Sequence, residues 1–237
     1  MANLHAARVL GNLTFWDSHR RRLIDAIGPD VTKYINDFEV GNSATDALAG
    51  FTVTLVEAGA GETTLTKLDA SGGKIRITTD AAENDGLSMQ LAGENFILKS
   101  TNHVYFYAKG VTVSHATESD FFVGLANTDT TILGGVNSRI GFEKLDGVTD
   151  IKAMLEAATT ETLTASLATL VAATAVDLEF YWDGASVTFF IDGVAVATPA
   201  VTNVPIEELC LSVEFLTGSA NARTMDIDKL VCIQIGR

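Results

Sequence analysis

An all-β, antiparallel sandwich is the fold this sequence predicts, on three observations. Between Asp177 and Val196, apolar β-prone runs are broken by Asp183-Gly184 and then by Asp192-Gly193. Asp-Gly supplies the positive φ that tight hairpin turns need, so the passage reads as consecutive antiparallel strands. From about Tyr34 onward, short runs alternate apolar and polar residues with the period of two that a half-buried strand requires. The 237 residues are 47% hydrophobic and only 19% charged, which furnishes a large core and excludes a disordered chain.

The first residues differ from the rest. Asp17 or Ser18 is placed to cap a short helix through Arg20-Arg21-Arg22-Leu23-Ile24-Asp25-Ala26-Ile27, and Gly28-Pro29 stops it. Leu23, Ile24 and Ile27 then form an apolar stripe at helical spacing, with the arginines beside it. Residues 1–33 are therefore read as an N-terminal arm with a short helix, and residues 34–237 as the sandwich. The arm either packs on its own sandwich or reaches a neighbouring subunit. Residues 1–24 hold Arg8, Arg20, Arg21 and Arg22 against Asp17 alone, while the whole chain carries −14. That basic strip is either a solvated helix face or a docking contact to an acidic partner.

Strands follow in order: Phe51–Val56, Lys74–Thr78 after the turn Ser71-Gly72-Gly73, Ser88–Leu91 after Asn84-Asp85-Gly86, Val104–Ala108 with Val111–Val113, Phe121–Leu125 and Arg139–Glu143. Leu209–Phe215 and Met225–Ile233 are expected to pair and close the fold. Asp150–Ala158 has apolar residues at i, i+3 and i+4 and reads as a short helix. Residues 159–176 are rich in Ala and Thr, and Leu163, Ala165 and Leu167 alternate. A flat strand is favoured there, with an extended helix as the alternative.

The succession Gly72-Gly73-Lys74-Ile75-Arg76-Ile77-Thr78-Thr79, an aromatic strand, Phe121-Phe122-Val123-Gly124-Leu125, Ile140-Gly141-Phe142, Trp182-Asp183-Gly184 and Val187-Thr188-Phe189-Phe190-Ile191-Asp192-Gly193 resembles the hairpins of concanavalin A-like, laminin-G-like jelly rolls. The resemblance implies a jelly-roll β-sandwich whose usual roles are binding and building.

Chemistry-bearing constellations are sparse. His5, His19, His103 and His115 stand singly, and Cys210 and Cys232 lie apart in apolar runs, so neither type has metal-site spacing. The cysteines read as buried free thiols in a chain made in a reducing cytoplasm. There is no G-x-S-x-G elbow. The pairs Asp226/Asp228 and Asp177/Glu179 each put two carboxylates on one strand face, as a glycosidase needs, but a solvated strand face has the same alternation. Asp80, Asn84 and Asp85, or Asn127 and Asp129, are oxygen-rich loops of the kind that hold calcium or sugar, and also what ordinary turns require. Trp182 is expected in the core. The acidic charge argues against a nucleic-acid partner. Met1–Arg8 lacks the apolar core of a secretory leader, and no run is long enough to span a bilayer.

An acidic, cysteine-poor jelly roll with a distinct arm, rich in Ala, Thr, Gly and Val, resembles virion structural proteins of tailed bacteriophages, of the capsid decoration or fibre type. The resemblance implies a major capsid protein or another virion protein as partner, a homo-oligomer, and a place in the virion after assembly in the host cytoplasm. It implies no catalytic residue, no metal and no cofactor. The arm side chains expected at the contact are Phe15, Trp16, Arg20, Arg21, Arg22, Leu23 and Ile27, because aromatics and arginines usually anchor interfaces. The alternative is a glycan-binding adhesion module, on a head fibre or a tail receptor-binding protein, with a host-surface glycan as partner. A polysaccharide-cleaving enzyme using Glu179, Asp226 or Asp228 is the third reading.

Overall fold

The computed structural model describes residues 4–17, 22–39, 43–57, 61–69, 71–135 and 138–236. In chain order the strands are β1 Leu4–Val9, β2 Asn12–Asp17, β3 Arg22–Ile27, β4 Val31–Asn36, β5 Phe51–Val56, β6 Thr64–Leu68, β7 Lys74–Thr78, β8 Gly86–Leu91, β9 Phe96–Ile97 and β10 His103–Val113. They continue as β11 Ser119–Ala126, β12 Arg139–Lys144, β13 Asp150–Ala157, β14 Thr160–Leu163, β15 Ala168–Thr169, β16 Val176–Trp182, β17 Val187–Ile191, β18 Val194–Ala197, β19 Glu208–Thr217, β20 Thr224–Ile227 and β21 Lys229–Ile235. One helical turn, α1 Ala44–Ala47, precedes β5.

Two nine-stranded sheets form the sandwich. One runs β18-β17-β16-β10-β20-β7-β6, with β21 pairing both β10 and β4. The other runs β14-β13-β12-β11-β19-β8-β5, with β15 beside β13 and β9 beside β19. All their pairings are antiparallel. The inner faces meet in one core that includes Phe106, Phe121, Phe142, Phe180, Phe189, Phe215, Leu178, Leu211 and Met225. Phe142 of one sheet meets Phe189 of the other edge-on, ring centroids 5.3 Å apart, a favoured aromatic geometry. Trp182 is buried in this core and donates its indole N–H to the Lys99 carbonyl at 2.9 Å. Cys210 and Cys232 are free and buried. Among the described residues no helix is long and apolar enough to cross a membrane.

The hairpin signals act as their chemistry requires. Asp192 and Gly193 take φ of 52° and 78° in the two-residue turn joining β17 to β18, the double positive φ of a type I′ turn.

Four expectations are corrected. Leu209–Phe215 lies in β19 of one sheet, pairing β11 and β8, and Met225–Ile233 falls in β20 and β21 of the other, so the two do not pair. Residues 22–27 are strand β3, not helix. Leu23 pairs with Trp16 and Asp25 with Phe15, so Ile24 is an extra residue, a bulge. The bulge sets Leu23 and Ala26, three apart, on one face and so imitates helical spacing. Residues 150–157 are strand β13. Both faces of β13 are covered, which hides the period of two. Its hairpin to β14 turns on Ala158 and Thr159 at φ of 49° and 69°, without a glycine to announce it. Residues 159–176 hold two short strands, β14 and β15, in place of one continuous strand.

Candidate functional site

The described residues expected at a contact surface lie in a third sheet, β1-β2-β3, which among the described residues forms no backbone ladder with the sandwich. One face of it docks on the chain's own β10, β16 and β21. Leu23, Ala26, Val9 and Trp16 pack against Tyr105, Tyr107, Tyr181, Val231, Ile233 and Ile235, the outward side chains of those strands. Trp16 meets Tyr181 edge-on at 5.5 Å, and its indole N–H donates to Thr14 Oγ1 at 3.0 Å.

Arg22 fastens this docking. Its guanidinium donates to Glu179 at 3.0 and 2.5 Å, to Asp177 at 3.2 Å and to the Tyr107 hydroxyl at 2.9 Å, and lies 4.1 Å from the Tyr107 ring centroid. Tyr105 donates its hydroxyl to Glu179 Oε2 at 2.6 Å, and Asp177 Oδ1 accepts the Gly110 N–H. Burial pulls the Arg22 pKa down, but the hydrogen bond and charge of Glu179 outweigh it and raise the pKa overall. Burial pushes the phenols of Tyr105 and Tyr107 up, and the neighbouring carboxylates push them further.

Strand alternation thus divides the expected contact residues. Trp16 and Leu23 face inward; Arg22, opposite Asp17 in the register, alternates with Leu23, and its long side chain reaches back to Glu179, Asp177 and Tyr107. Phe15 and Ile27 face outward, and Arg20 and Arg21 lie outside the described residues. The register Ala6–Phe15–Asp25 and Arg8–Leu13–Ile27 puts these six side chains on the outer face. Leu4 at 63%, Ile27 at 56% and Ile24 at 45% of full exposure leave that face apolar and open. The signal for this division was present: three short β-prone runs separated by Gly11 and by residues 18–21.

The outer face of the other sheet is polar and is covered by residues 127–135. Ser88 Oγ donates to the Thr130 carbonyl, Gln90 Nε2 to the Asn127 carbonyl, and the Asp129 N–H to Gln90 Oε1. Ile132 and Leu133 pack on Phe122 and Ala126 beneath them. Arg139 donates to Glu156 at 2.7 Å, to Glu143 at 3.0 Å and to the Ile132 carbonyl at 3.2 Å. Glu214 is fully buried; its Oε2 accepts the Leu133 N–H at 2.5 Å, and its Oε1 meets no hydrogen-bond donor among the described residues. Burial raises its pKa to about 7, against the opposing pull of the Leu133 and Ile132 amides. Troughs open on this face, the first beside residues 128–130. One, of about 420 Å³, is lined by Thr52, Thr54, Gln90, Thr128, Asp129 and Thr130 among others. The other, of about 230 Å³, includes Glu143, Asp146, Asp150 and Lys152.

The carboxylate pairs singled out as alternatives are engaged in ion pairs. Asp226 holds Arg76 through two bonds of 2.6 and 2.8 Å, Asp228 holds Lys109 at 2.5 Å, and Asp177 and Glu179 share Arg22. The oxygen-rich loops serve as turns: Asn127 Oδ1 accepts the Ser138 N–H and Asp129 Oδ1 the Thr131 N–H, while Asn84 takes φ of 68°. No group of three or more His, Cys, Asp or Glu side chains is arranged to hold a metal ion among the described residues.

No protein-family model matches the chain, and no curated protein does. Solved structures match it well. A protein of unknown function from Shewanella oneidensis has a TM-score of 0.59 at 15% identity, covering 90% of this chain and 89% of its own. The carbohydrate recognition domain of Emp47p has a TM-score of 0.59 at 12% identity, covering 90% and 100%. This chain is a concanavalin A-like jelly roll. A carbohydrate esterase from the Shiga toxin-encoding bacteriophage phi24B also matches, with a TM-score of 0.50 at 16% identity over 87% and 100%. Identities this low speak to the fold alone.

Proposed function

We propose that this jelly roll is a virion structural protein of a tailed bacteriophage, a capsid decoration or cement protein that attaches to the particle and acts by burying surface. The observation that carries the reading is the N-terminal sheet. The sheet is fixed to the sandwich by Leu23, Trp16 and Arg22, and its outer face presents Leu4, Ile24 and Ile27 to solvent, with Leu13 and Phe15 partly exposed between them. An apolar face held rigid on a folded body is what a contact surface needs, since little ordering entropy remains to be lost on binding. Residues 1–27 carry +2, which leaves −16 on the rest of a chain whose total is −14. The match in fold to a phage protein is compatible with this reading, and the tethered carboxylates of β16 and β20 give no free acid–base pair.

Phe15→Asp and Ile27→Asp, both on the outer face, are expected to lower occupancy on the particle at least 10-fold while leaving the melting temperature within a few degrees. Co-sedimentation with purified particles measures occupancy. Full occupancy with either variant overturns the reading. A second reading, the glycan-binding module, is favoured by the hydroxyl- and amide-lined trough of about 420 Å³. On that reading the same two variants keep their binding and Gln90→Ala loses it.

A further inference from the structure

We propose that residues 127–135 form a strap that Glu214 latches in acid and releases as the pH rises, uncovering the polar face beneath it.

The strap joins β11 to β12. Its base is closed by one pair of residues: the Asn127 N–H donates to the Ser138 carbonyl at 3.0 Å, and the Ser138 N–H to Asn127 Oδ1 at 2.9 Å. Residues 128–135 belong to no strand, so no backbone ladder holds them down. Side chains of the sheet do so instead. Ser88 and Gln90 of β8 bind the Thr130 carbonyl and the Asp129 N–H near the base. Farther along, Arg139 donates to the Ile132 carbonyl at 3.2 Å, and Glu214 Oε2 accepts the Leu133 N–H at 2.5 Å.

Of these anchors only Glu214 is a buried acid with an oxygen left over. It is fully buried, and its Oε1 meets no donor among the described residues. Such a carboxylate is costly as an anion unless cations or donors surround it. The groups that face it supply too few. Its register neighbours, Ser88 on β8 and Phe122 on β11, carry no charge, and Asp120, two residues along β11, is acidic. Arg139 of β12 is shared by Glu143 of its own strand and Glu156 of β13, and Lys152 of β13 stands opposite Glu143. The strap itself brings Asp129, a further negative charge.

Under the closed strap Glu214 therefore keeps its proton up to about pH 7; with the strap lifted, water reaches it and it ionises near 4.5 like any glutamate. Between those values the closed form holds a proton that the open form has lost, so rising pH favours opening, by roughly 70-fold from pH 5 to pH 8. Opening bares Gln90, Ser212 and Glu214 together with the Phe122 ring. Asp120 titrates nearby, raised to about 6 by burial, but it holds the Asp146 N–H and not the strap.

The chain carries its own reporter. Cys210 lies on the covered face, its Sγ donating to the Ala126 carbonyl at 3.2 Å and 4.0 Å from Thr128 Oγ1. Cys232 lies between the two sheets, where only global unfolding reaches it. Alkylation of the full chain with iodoacetamide, each rate divided by that of a cysteine peptide at the same pH, tests the strap. Cys210 is expected to react about 10-fold or more faster than Cys232 at pH 8, and its normalised rate to rise roughly 30- to 100-fold from pH 5 to pH 8. In Glu214→Gln that rate is expected to stay flat within about 3-fold. Amide hydrogen exchange of residues 127–135 in the wild type, corrected for intrinsic rates, decides the matter if the variant fails to fold: it is expected to quicken with pH while β21 stays protected. Equal rates for the two cysteines, a Cys210 rate indifferent to pH, a rise that survives Glu214→Gln, or strap amides that track β21 would each overturn the inference.

Discussion

Arg22→Ala is expected to destabilise the protein by about 3–5 kcal/mol, the largest effect of any single substitution outside the apolar core. Glu179 is 2% exposed and sits where the N-terminal sheet meets the sandwich. Arg22 gives it two hydrogen bonds and a counter-charge; without Arg22 it keeps only the Tyr105 hydroxyl. Cutting back one partner of a buried pair leaves the other's desolvation uncompensated, which costs more than the pair itself contributes. The double change Arg22→Met with Glu179→Gln is therefore expected to lose less than half as much. Methionine covers the Tyr107 ring, and glutamine still accepts from Tyr105. Urea denaturation of the three proteins measures the difference, and equal losses in single and double variants would contradict it. The same geometry bears on truncation. Deleting residues 1–30 strips the cover from Tyr105, Tyr107, Val231, Ile233 and Ile235 and is expected to give an aggregation-prone sandwich.

The second large effect is on pH dependence. Glu214 holds its proton up to about pH 7 in the folded chain, against 4.5 for an ordinary glutamate. Between these values the folded state binds a proton that the unfolded state has released, so stability falls as pH rises from about 4.5 to about 7 and is flat above. The full loss from this one group is about 3 kcal/mol. Asp120, raised chiefly by burial to about 6, adds a loss in the same direction that ends one unit lower. Glu214→Gln is expected to remove the part of the slope that ends near pH 7, and to reach its largest advantage over wild type at pH 8. Stability curves at pH 5, 6, 7 and 8 test this. Parallel curves for the two proteins would show that Glu214 does not set the dependence.

How much of this was legible in the sequence depended on whether one face of a strand met water. Strands with one solvated face, such as Lys74–Thr78, announced themselves by alternation, and Asp192-Gly193 announced its turn by residue type. Covering both faces did not hide β11 or β12, whose aromatic and β-branched runs still read as strands, but it hid β13. In β13, Ile151, Ala153 and Leu155 face the core while Met154 and Glu156 on the other face are also buried, so apolar residues fall at helical spacings. In β3 a single bulged residue, Ile24, did the same. The Arg22–Glu179 pair was out of reach for another reason: its members are 157 positions apart, and only docking of the N-terminal sheet brings them together. Glu214 read as one more polar residue on an alternating strand, because the chain that buries it comes from residues 127–135.

The central claim is that the N-terminal sheet turns its inner face to its own sandwich and its outer face to a neighbour. A reconstruction of the assembled particle tests this most directly. The account predicts density for the jelly roll with Phe15 and Ile27 at the contact and the trough beside residues 128–130 turned away from it. A particle in which those two residues face open solvent, with the body seated on another surface, would contradict it.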